Sequence, residues 1–317
     1  MSAGGDGSVT LTVRAESTSA APDGSAGSGS GGGASVWSQS VTATVHPVCW
    51  YTRGLSGAET AKWLDSPDGA ASDMYHRNNN NPDPEGLEEQ KARYPDYESY
   101  ADDEEGYWYV ATCGSEYMAD DDPRDFYDVI QDYVASHPPV WVPSGQAAPE
   151  PEIDGATLAQ AAWDAVTIPT ATISYNPMVG DVGATIVGMD TWVWATGDTP
   201  REVTVTATAG STTATITATA KWLTLQPKDG TAKCTGFGIP WTEENDAKGT
   251  DCKIIFNRSS AHFKDSVTPV DIKVSYAITY TATDGASGSM DTHTTSTTTT
   301  IPVAEIQTLN TQPTKQP

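Results

Sequence analysis

Basic residues are scarce in this sequence. Its 317 residues include 17 Lys and Arg against 42 Asp and Glu, so the formal net charge is −25. A chain with this charge is repelled by nucleic acid and by anionic membrane surfaces, and we expect neither as a partner. Long apolar runs are lacking as well, and no stretch approaches the roughly 18 residues that a membrane-spanning helix needs.

Several motifs that carry chemistry are also absent. The sequence contains no GxxxxGK[ST] loop for nucleotide phosphates, no GxSxG nucleophile elbow and no HExxH zinc motif. The five histidines lie far apart along the chain and supply no evidence for a catalytic triad. We therefore assign no catalytic and no cofactor-binding residue from the sequence.

Cysteine is used sparingly, with four residues at Cys49, Cys113, Cys234 and Cys252. Four cysteines allow three pairings, and their grouping along the chain favours Cys49–Cys113 and Cys234–Cys252. An even number without a CxxC motif, and with no histidine at metal-ligand spacing, indicates disulfides formed in an oxidising compartment. Four buried free thiols are the alternative interpretation.

The first seven residues contain neither the basic n-region nor the apolar h-region of a signal peptide. Together with the predicted disulfides, this start leads us to expect the mature part of a secreted or cell-surface protein.

The acidity is concentrated in one part of the chain. Residues 46–155 carry 24 acidic and six basic side chains, a net charge of −18, and the rest of the chain is close to neutral. Such a division indicates regions with different surfaces. We predict an acidic α+β region at 1–155 with a Gly/Ser loop at 23–34, a connecting helix at 156–169, a β-sandwich at 170–310 and a flexible tail at 311–317.

Hydrophobic periodicity predicts the elements of the acidic region. Residues 8–15 and 37–48 alternate apolar and polar side chains, which indicates two strands that pair as a long-looped hairpin. Ser56 and Glu59 have the spacing of a capping box at a helix start. Asp122 is the expected N-cap of a later helix, with Pro123 at its first position.

From about residue 170, alternation of Thr with Val and other apolar residues dominates, and turn signals such as Asp284-Gly285 separate the runs. Several short alternating strands at near-regular spacing indicate a β-sandwich. We expect Trp192, Trp194 and Trp222 to contribute to its core.

Two candidate sites lie in the acidic region. The runs that include Asp102, Asp103 and Glu105, and Asp120, Asp121 and Asp122, offer oxygen ligands for calcium, although neither has EF-hand spacing. The alternative is a solvated acidic face with helix-capping carboxylates. Calcium is therefore the one cofactor that the sequence suggests. The candidate partner surface consists of aromatic residues: Trp50, Trp63, Tyr107, Trp108 and Trp141.

Several segments resemble a group of secreted actinobacterial proteins, many of which carry the label "ATP/GTP-binding protein". The matching segments are Pro47-Val48-Cys49-Trp50-Tyr51, Pro139-Val140-Trp141-Val142-Pro143, Gly188-Met189-Asp190-Thr191-Trp192-Val193-Trp194, Cys234-Thr235-Gly236, Cys252, Arg258-Ser259-Ser260-Ala261 and Pro302-Val303-Ala304-Glu305-Ile306-Gln307. The resemblance implies an exported protein with a C-terminal immunoglobulin- or PKD-like sandwich, associated with gene clusters for Tad-type pili. No residue here carries the nucleotide label.

We expect a non-enzymatic cell-surface or extracellular structural or binding protein, such as an accessory component of a surface filament or an adhesin. Its expected partner is an extracellular protein or a cell-envelope glycan, with assembly into a larger surface structure. Cationic and carbohydrate partners both suit an acidic surface studded with aromatic rings. The alternative functions are a secreted hydrolase acting on a glycan or peptide through carboxylates of the acidic segment, and a calcium-stabilised adhesin.

Overall fold

The computed structural model describes residues 2–3, 7–18, 35–66, 84–118, 122–197 and 199–306. The described part of the chain is mostly β, with 46% of its residues in strands and 20% in helices. The strands are β1 Ser2–Ala3, β2 Val9–Thr18, β3 Ser35–Val45, β4 Cys49–Ser56, β5 Tyr107–Cys113, β6 Val140–Val142, β7 Thr172–Asn176, β8 Thr185–Ile186, β9 Asp190–Thr196, β10 Glu202–Ala209, β11 Thr212–Pro227, β12 Gly230–Cys234, β13 Cys252–Phe256, β14 Thr268–Ala282, β15 Ser287–Ile301 and β16 Val303–Ala304. The helices are α1 Gly57–Leu64, α2 Pro84–Arg93, α3 Phe126–Ser136 and α4 Gly155–Asp164.

The chain forms two compact units, each assembled from separate segments. The first unit comprises residues 1–12, 42–161 and 208–213, and the second comprises residues 13–41, 162–207 and 214–317. The predicted Gly/Ser loop at 23–34 and the predicted tail at 311–317 lie outside the described residues.

The described strands form four sheets. The largest has seven strands in the order β1-β2-β10-β11-β14-β15, and β3 also pairs with β2, which confirms that the two predicted strands pair. A four-stranded sheet has the order β12-β13-β9-β7, and a three-stranded sheet has the order β4-β5-β6. Strands β8 and β16 form a short parallel pair.

The long strands bury one face and expose the other, as the alternating pattern predicts. Along β14, the buried positions are Thr268, Val270, Ile272, Val274, Tyr276 and Ile278. Threonine fills many of the outward positions, because its β-branched side chain suits a pleated, half-buried surface. The buried Tyr276 hydroxyl donates to the carbonyl oxygen of Pro200 at 2.9 Å, and burial raises the pKa of this tyrosine.

Trp222 is not a core residue. The register of β11 with β14 shifts between Ala220 and Leu223, and the two intervening residues, Lys221 and Trp222, both face solvent. Trp222 is 47% exposed, whereas Trp192 on β9 is 7% exposed. A β-bulge inserts extra residues on one strand and re-aims their side chains, which a simple alternation pattern does not anticipate.

The starts of α1 and α4 agree with the sequence to within a residue, and those of α2 and α3 do not. The Ser56–Glu59 capping box is present, because Glu59 N–H donates to Ser56 Oγ at 3.2 Å and Ser56 N–H donates to Glu59 Oε2 at 3.0 Å. Helix α3 starts three residues later than predicted, with Asp125 rather than Asp122 as its N-cap. Helix α2 was not predicted from the sequence, because its largely polar residues lack a clear apolar stripe.

Both disulfides join directly opposed residues of neighbouring antiparallel strands. Cys49 on β4 faces Cys113 on β5, and Cys234 on β12 faces Cys252 on β13, the same pairing that the sequence indicates. In each case the next residue pair along the ladder is hydrogen-bonded. Gly114 N–H donates to Val48 O at 2.9 Å, and Thr235 N–H donates to Asp251 O at 2.8 Å. The cysteines therefore occupy non-hydrogen-bonded positions, where opposed side chains are closest.

Candidate functional site

The predicted aromatic surface of the first unit is in large part a core. Trp108 is only 1% exposed, so it cannot contact a partner, and its place in the predicted surface is corrected to the interior. It packs with the buried residues Ala61, Leu64 and Tyr97. The Tyr94 and Tyr100 rings meet it edge-on, at centroid distances of 5.2 and 5.8 Å.

Trp63 and Trp141 pack against this same core and are half-buried. The Trp141 ring stacks on Tyr100 with centroids 4.3 Å apart, and a Cβ on Gly106 would overlap it. Glycine is therefore required at position 106 by the close approach of the ring. These two tryptophans offer at most their outer edges to solvent.

Trp50 and Tyr107 lie in separate surroundings from that core. The Trp50 ring covers Gly7 and meets the ring of Tyr117 edge-on at 5.6 Å. Tyr107 lies under the guanidinium of Arg53, whose Cζ is 3.4 Å from the ring centroid. Both aromatic rings are half-buried, as those of Trp63 and Trp141 are, so part of their surface is left for a partner.

A second aromatic cluster was not predicted from the sequence. His137 stacks on Tyr133 with centroids 3.8 Å apart, and the Tyr51 ring meets His137 edge-on at 6.0 Å. Burial raises the pKa of Tyr133 to about 12, and the nearby charges of Glu152 and Tyr51 add to the effect. The sequence signal was weak, because His137 stands just before a Pro-Pro pair and resembles an ordinary loop residue.

The candidate calcium ligands do not come together in the described part of the chain. Asp103 closes a local turn, since its Oδ1 accepts from the N–H groups of Glu105 and Gly106 at 2.9 and 2.8 Å. Asp102 and Glu105 are exposed, and Asp120 and Asp121 lie outside the described residues. No group of three or more His, Cys, Asp or Glu side chains in the described ranges is arranged to hold a metal ion. Calcium binding stays a prediction.

Asp122 is engaged with Arg124. The Arg124 side chain donates from Nε to Oδ1 at 3.0 Å and from Nη2 to Oδ2 at 2.6 Å. These side-chain bonds, together with the Arg124 backbone N–H, lower the pKa of Asp122 to about 2. The carboxylate therefore serves the local structure ahead of α3.

The other described carboxyl groups with a shifted pKa are also held by hydrogen bonds to neighbouring groups. The Ser56 backbone and side chain lower the pKa of Glu59 in the capping box. Hydrogen bonds from Lys91 and Tyr97 lower the pKa of Asp65, and the Thr298 hydroxyl lowers that of Asp271. Each shift is downward, whereas a general acid needs a raised pKa.

A cavity of about 410 Å³ lies in the second unit, between β9, β13 and the loop that the Cys234–Cys252 disulfide closes. Its polar lining is already paired within the chain. Lys253 Nζ donates to Asp190 Oδ2 at 2.6 Å, and Asp246 Oδ1 accepts from Trp241 Nε1 at 2.7 Å. The cavity has the size of a ligand site, but Asp190 and Lys253 neutralise each other and Asp246 is already hydrogen-bonded to Trp241.

No known protein family, no curated protein and no solved structure matches the chain. The resemblance to secreted actinobacterial proteins therefore stays a prediction. No helix among the described residues combines the length and apolar character needed to cross a bilayer.

Proposed function

We propose that the protein is an exported, non-enzymatic structural or binding component of the cell surface or extracellular space, such as an accessory component of a surface filament or an adhesin. The observation that carries this proposal is the pair of cross-strand disulfides, which together use all four cysteines. Disulfides persist in oxidising compartments and are rare where thiols are kept reduced.

The arrangement of titratable groups supports a non-enzymatic role. A hydrolase that uses carboxylates needs two of them across a cleft, one with a raised pKa. The described carboxyl groups with shifted pKa, such as Asp65 and Asp122, are separate and held by neighbouring side chains. In the cavity, Asp190 is paired with Lys253.

A sandwich of the immunoglobulin or PKD type is the proposed arrangement of the sheets in the second unit. The four-stranded sheet buries Val193, Ile254 and Phe256, each fully. The seven-stranded sheet buries one face along its long strands, including Ile216 and Ile272. Two sheets with one apolar face each are stabilised when those faces pack together.

The proposed partner is a cationic extracellular protein or a cell-envelope glycan that contacts the acidic segment at 46–155. The half-buried rings of Trp50 and Tyr107 lie in this segment, whose net charge is −18. Aromatic faces favour sugar rings and cations, and an acidic surface attracts a basic partner over a long range.

The test is binding of the purified chain to isolated cell envelopes of the encoding organism at increasing salt. We expect binding that weakens as salt screens the acidic segment. The double variant Glu104→Gln/Glu105→Gln should weaken binding roughly two- to tenfold, because it removes two exposed charges. The matched control Glu243→Gln/Glu244→Gln removes two exposed charges outside the segment and should bind as the wild type does.

Two kinds of result contradict this proposal. Equal binding by the two double variants, or no binding to envelopes, contradicts the proposed partner surface. Release of sugar or peptide fragments from the envelopes by the purified chain contradicts the non-enzymatic role and favours the secreted hydrolase.

A further inference from the structure

Strand β15 forms one edge of the seven-stranded sheet. It spans 15 residues, Ser287–Ile301, and it pairs in antiparallel fashion with β14 along nearly its whole length. The strand order ends at β15, and no other described strand pairs with its outer side. An edge strand presents unpaired backbone N–H and C=O groups to any strand that approaches it.

The hydrogen bonds of β14 show which of its residues face β15. Lys228 N–H donates to the carbonyl oxygen of Pro269 at 3.0 Å, so the backbone groups of Pro269 point toward β11. Successive residues of an antiparallel strand direct their backbone groups alternately to the two sides. Val270, Ile272 and Val274 therefore point toward β15.

The outward groups of β15 follow from the register. Thr299, Thr297 and Thr295 are the partners of Val270, Ile272 and Val274, so they bond to β14. The intervening residues point their N–H and C=O groups away from β14, toward the open edge. These residues are Thr294, Ser296, Thr298 and Thr300, and all four have exposed side chains.

The open edge has none of the usual protection over this stretch. Residues 294–300 are Thr-Thr-Ser-Thr-Thr-Thr-Thr, seven hydroxyl residues without a charge, a proline or a glycine. Exposed edges are normally blocked by lysine, by proline, by a bulge or by shortness of the strand. The register shift between β14 and β15 lies between Tyr276 and Ile278, outside this stretch.

We propose that β15 pairs with β15 of a second copy of the chain, antiparallel about a two-fold axis at Thr297. In this register Thr294 faces Thr300 of the other copy, and Ser296 faces Thr298. Both are pairs of outward residues, so their backbone groups meet as hydrogen-bonded pairs. Hydroxyl residues then face hydroxyl residues over the whole stretch, a favourable cross-strand combination.

Charge identifies the partner strand as a copy of β15. The chain as a whole carries −25, so two copies repel each other over most of their surfaces. At residues 294–300 there is no charge, and pairing of two such stretches brings no like charges into register. A basic strand would leave its charges without partners at this edge. A two-fold pairing also uses up the open edge of both copies and closes the assembly at a dimer.

The test is sedimentation equilibrium of the full chain over a range of concentrations. We expect a reversible monomer–dimer equilibrium for the wild type. Ser296→Pro removes one outward N–H and should raise the dissociation constant at least tenfold, because proline is tolerated where an edge N–H faces solvent but blocks pairing there. The matched control Ser296→Val keeps the N–H and should dimerise as the wild type does.

A second variant covers the case in which Ser296→Pro does not fold, as judged by circular dichroism. Ser296→Lys keeps the ladder with β14 and places like charges near the two-fold axis, so it should weaken the dimer most at low salt. A wild type that stays monomeric, or proline and lysine variants that dimerise as tightly as the wild type, overturns the pairing. The pairing rests on the proposed structural role. A monomeric chain that still binds envelopes contradicts the pairing but not that role.

Discussion

Replacing both Cys49 and Cys113 with alanine is expected to lower the free energy of unfolding by about 4 kcal/mol. The bond joins residues 64 apart in sequence, so it removes a large amount of chain entropy from the unfolded state. Replacing both Cys234 and Cys252 opens a loop of only 18 residues and should cost about 3 kcal/mol. The two losses should therefore differ by about 1 kcal/mol.

Urea unfolding of the two double variants and of the wild type measures these losses. Each disulfide lies within one compact unit, Cys49–Cys113 in the first and Cys234–Cys252 in the second. The wild type in a reductant should lose stability in both units. Unchanged stability in the double variants, or in the reduced wild type, would show that the cysteines do not form these bonds in solution.

The second large effect is expected at the centre of the first unit. Trp108→Ala should lower the free energy of unfolding by about 3–5 kcal/mol, because it leaves a cavity among tightly packed rings. The Tyr94, Tyr100 and Trp141 rings all lie within 5.8 Å of it, centroid to centroid. These edge-on and tilted contacts add to the loss of apolar burial.

Trp222→Ala is the matched control for this prediction, since it makes the same chemical change at an exposed site. Its side chain leaves the sheet at the bulge of β11, and its loss should change stability by about 0.5 kcal/mol or less. If Trp108→Ala and Trp222→Ala lowered the free energy of unfolding equally, Trp108 would not be a core residue. It would then belong to the partner surface, as the sequence predicts.

Much of the β structure could be predicted from the alternation of residues. The alternating runs at 202–209 and 252–256 have the bounds of β10 and β13, and the run at 269–281 is shorter than β14 by one residue at each end. The alternation succeeds because each strand buries one face only. It fails at Trp222, because the bulge that re-aims this side chain is set by pairing with β14.

The candidate site was harder to predict, because burial depends on contacts between distant parts of the chain. Trp108 and Trp50 look alike in the sequence, as aromatic residues within the acidic segment. The first is enclosed by α1 and by the turn that contains Tyr97, and the second remains half-buried. Similarly, Asp122 and Asp125 both have side chains that can cap a helix. In the structure Asp125 is the N-cap, because α3 starts at Phe126.

The measurement that tests the central claim most directly is the thiol content of the native protein in fractions of the encoding organism. Protein from the culture medium, the cell surface and the cytoplasm is alkylated without reduction, and its mass is determined. We predict that the protein is found outside the cytoplasm with no cysteine alkylated, because Cys49–Cys113 and Cys234–Cys252 are both closed. Protein that is confined to the cytoplasm with all four cysteines alkylated would contradict an exported, disulfide-bonded structural component.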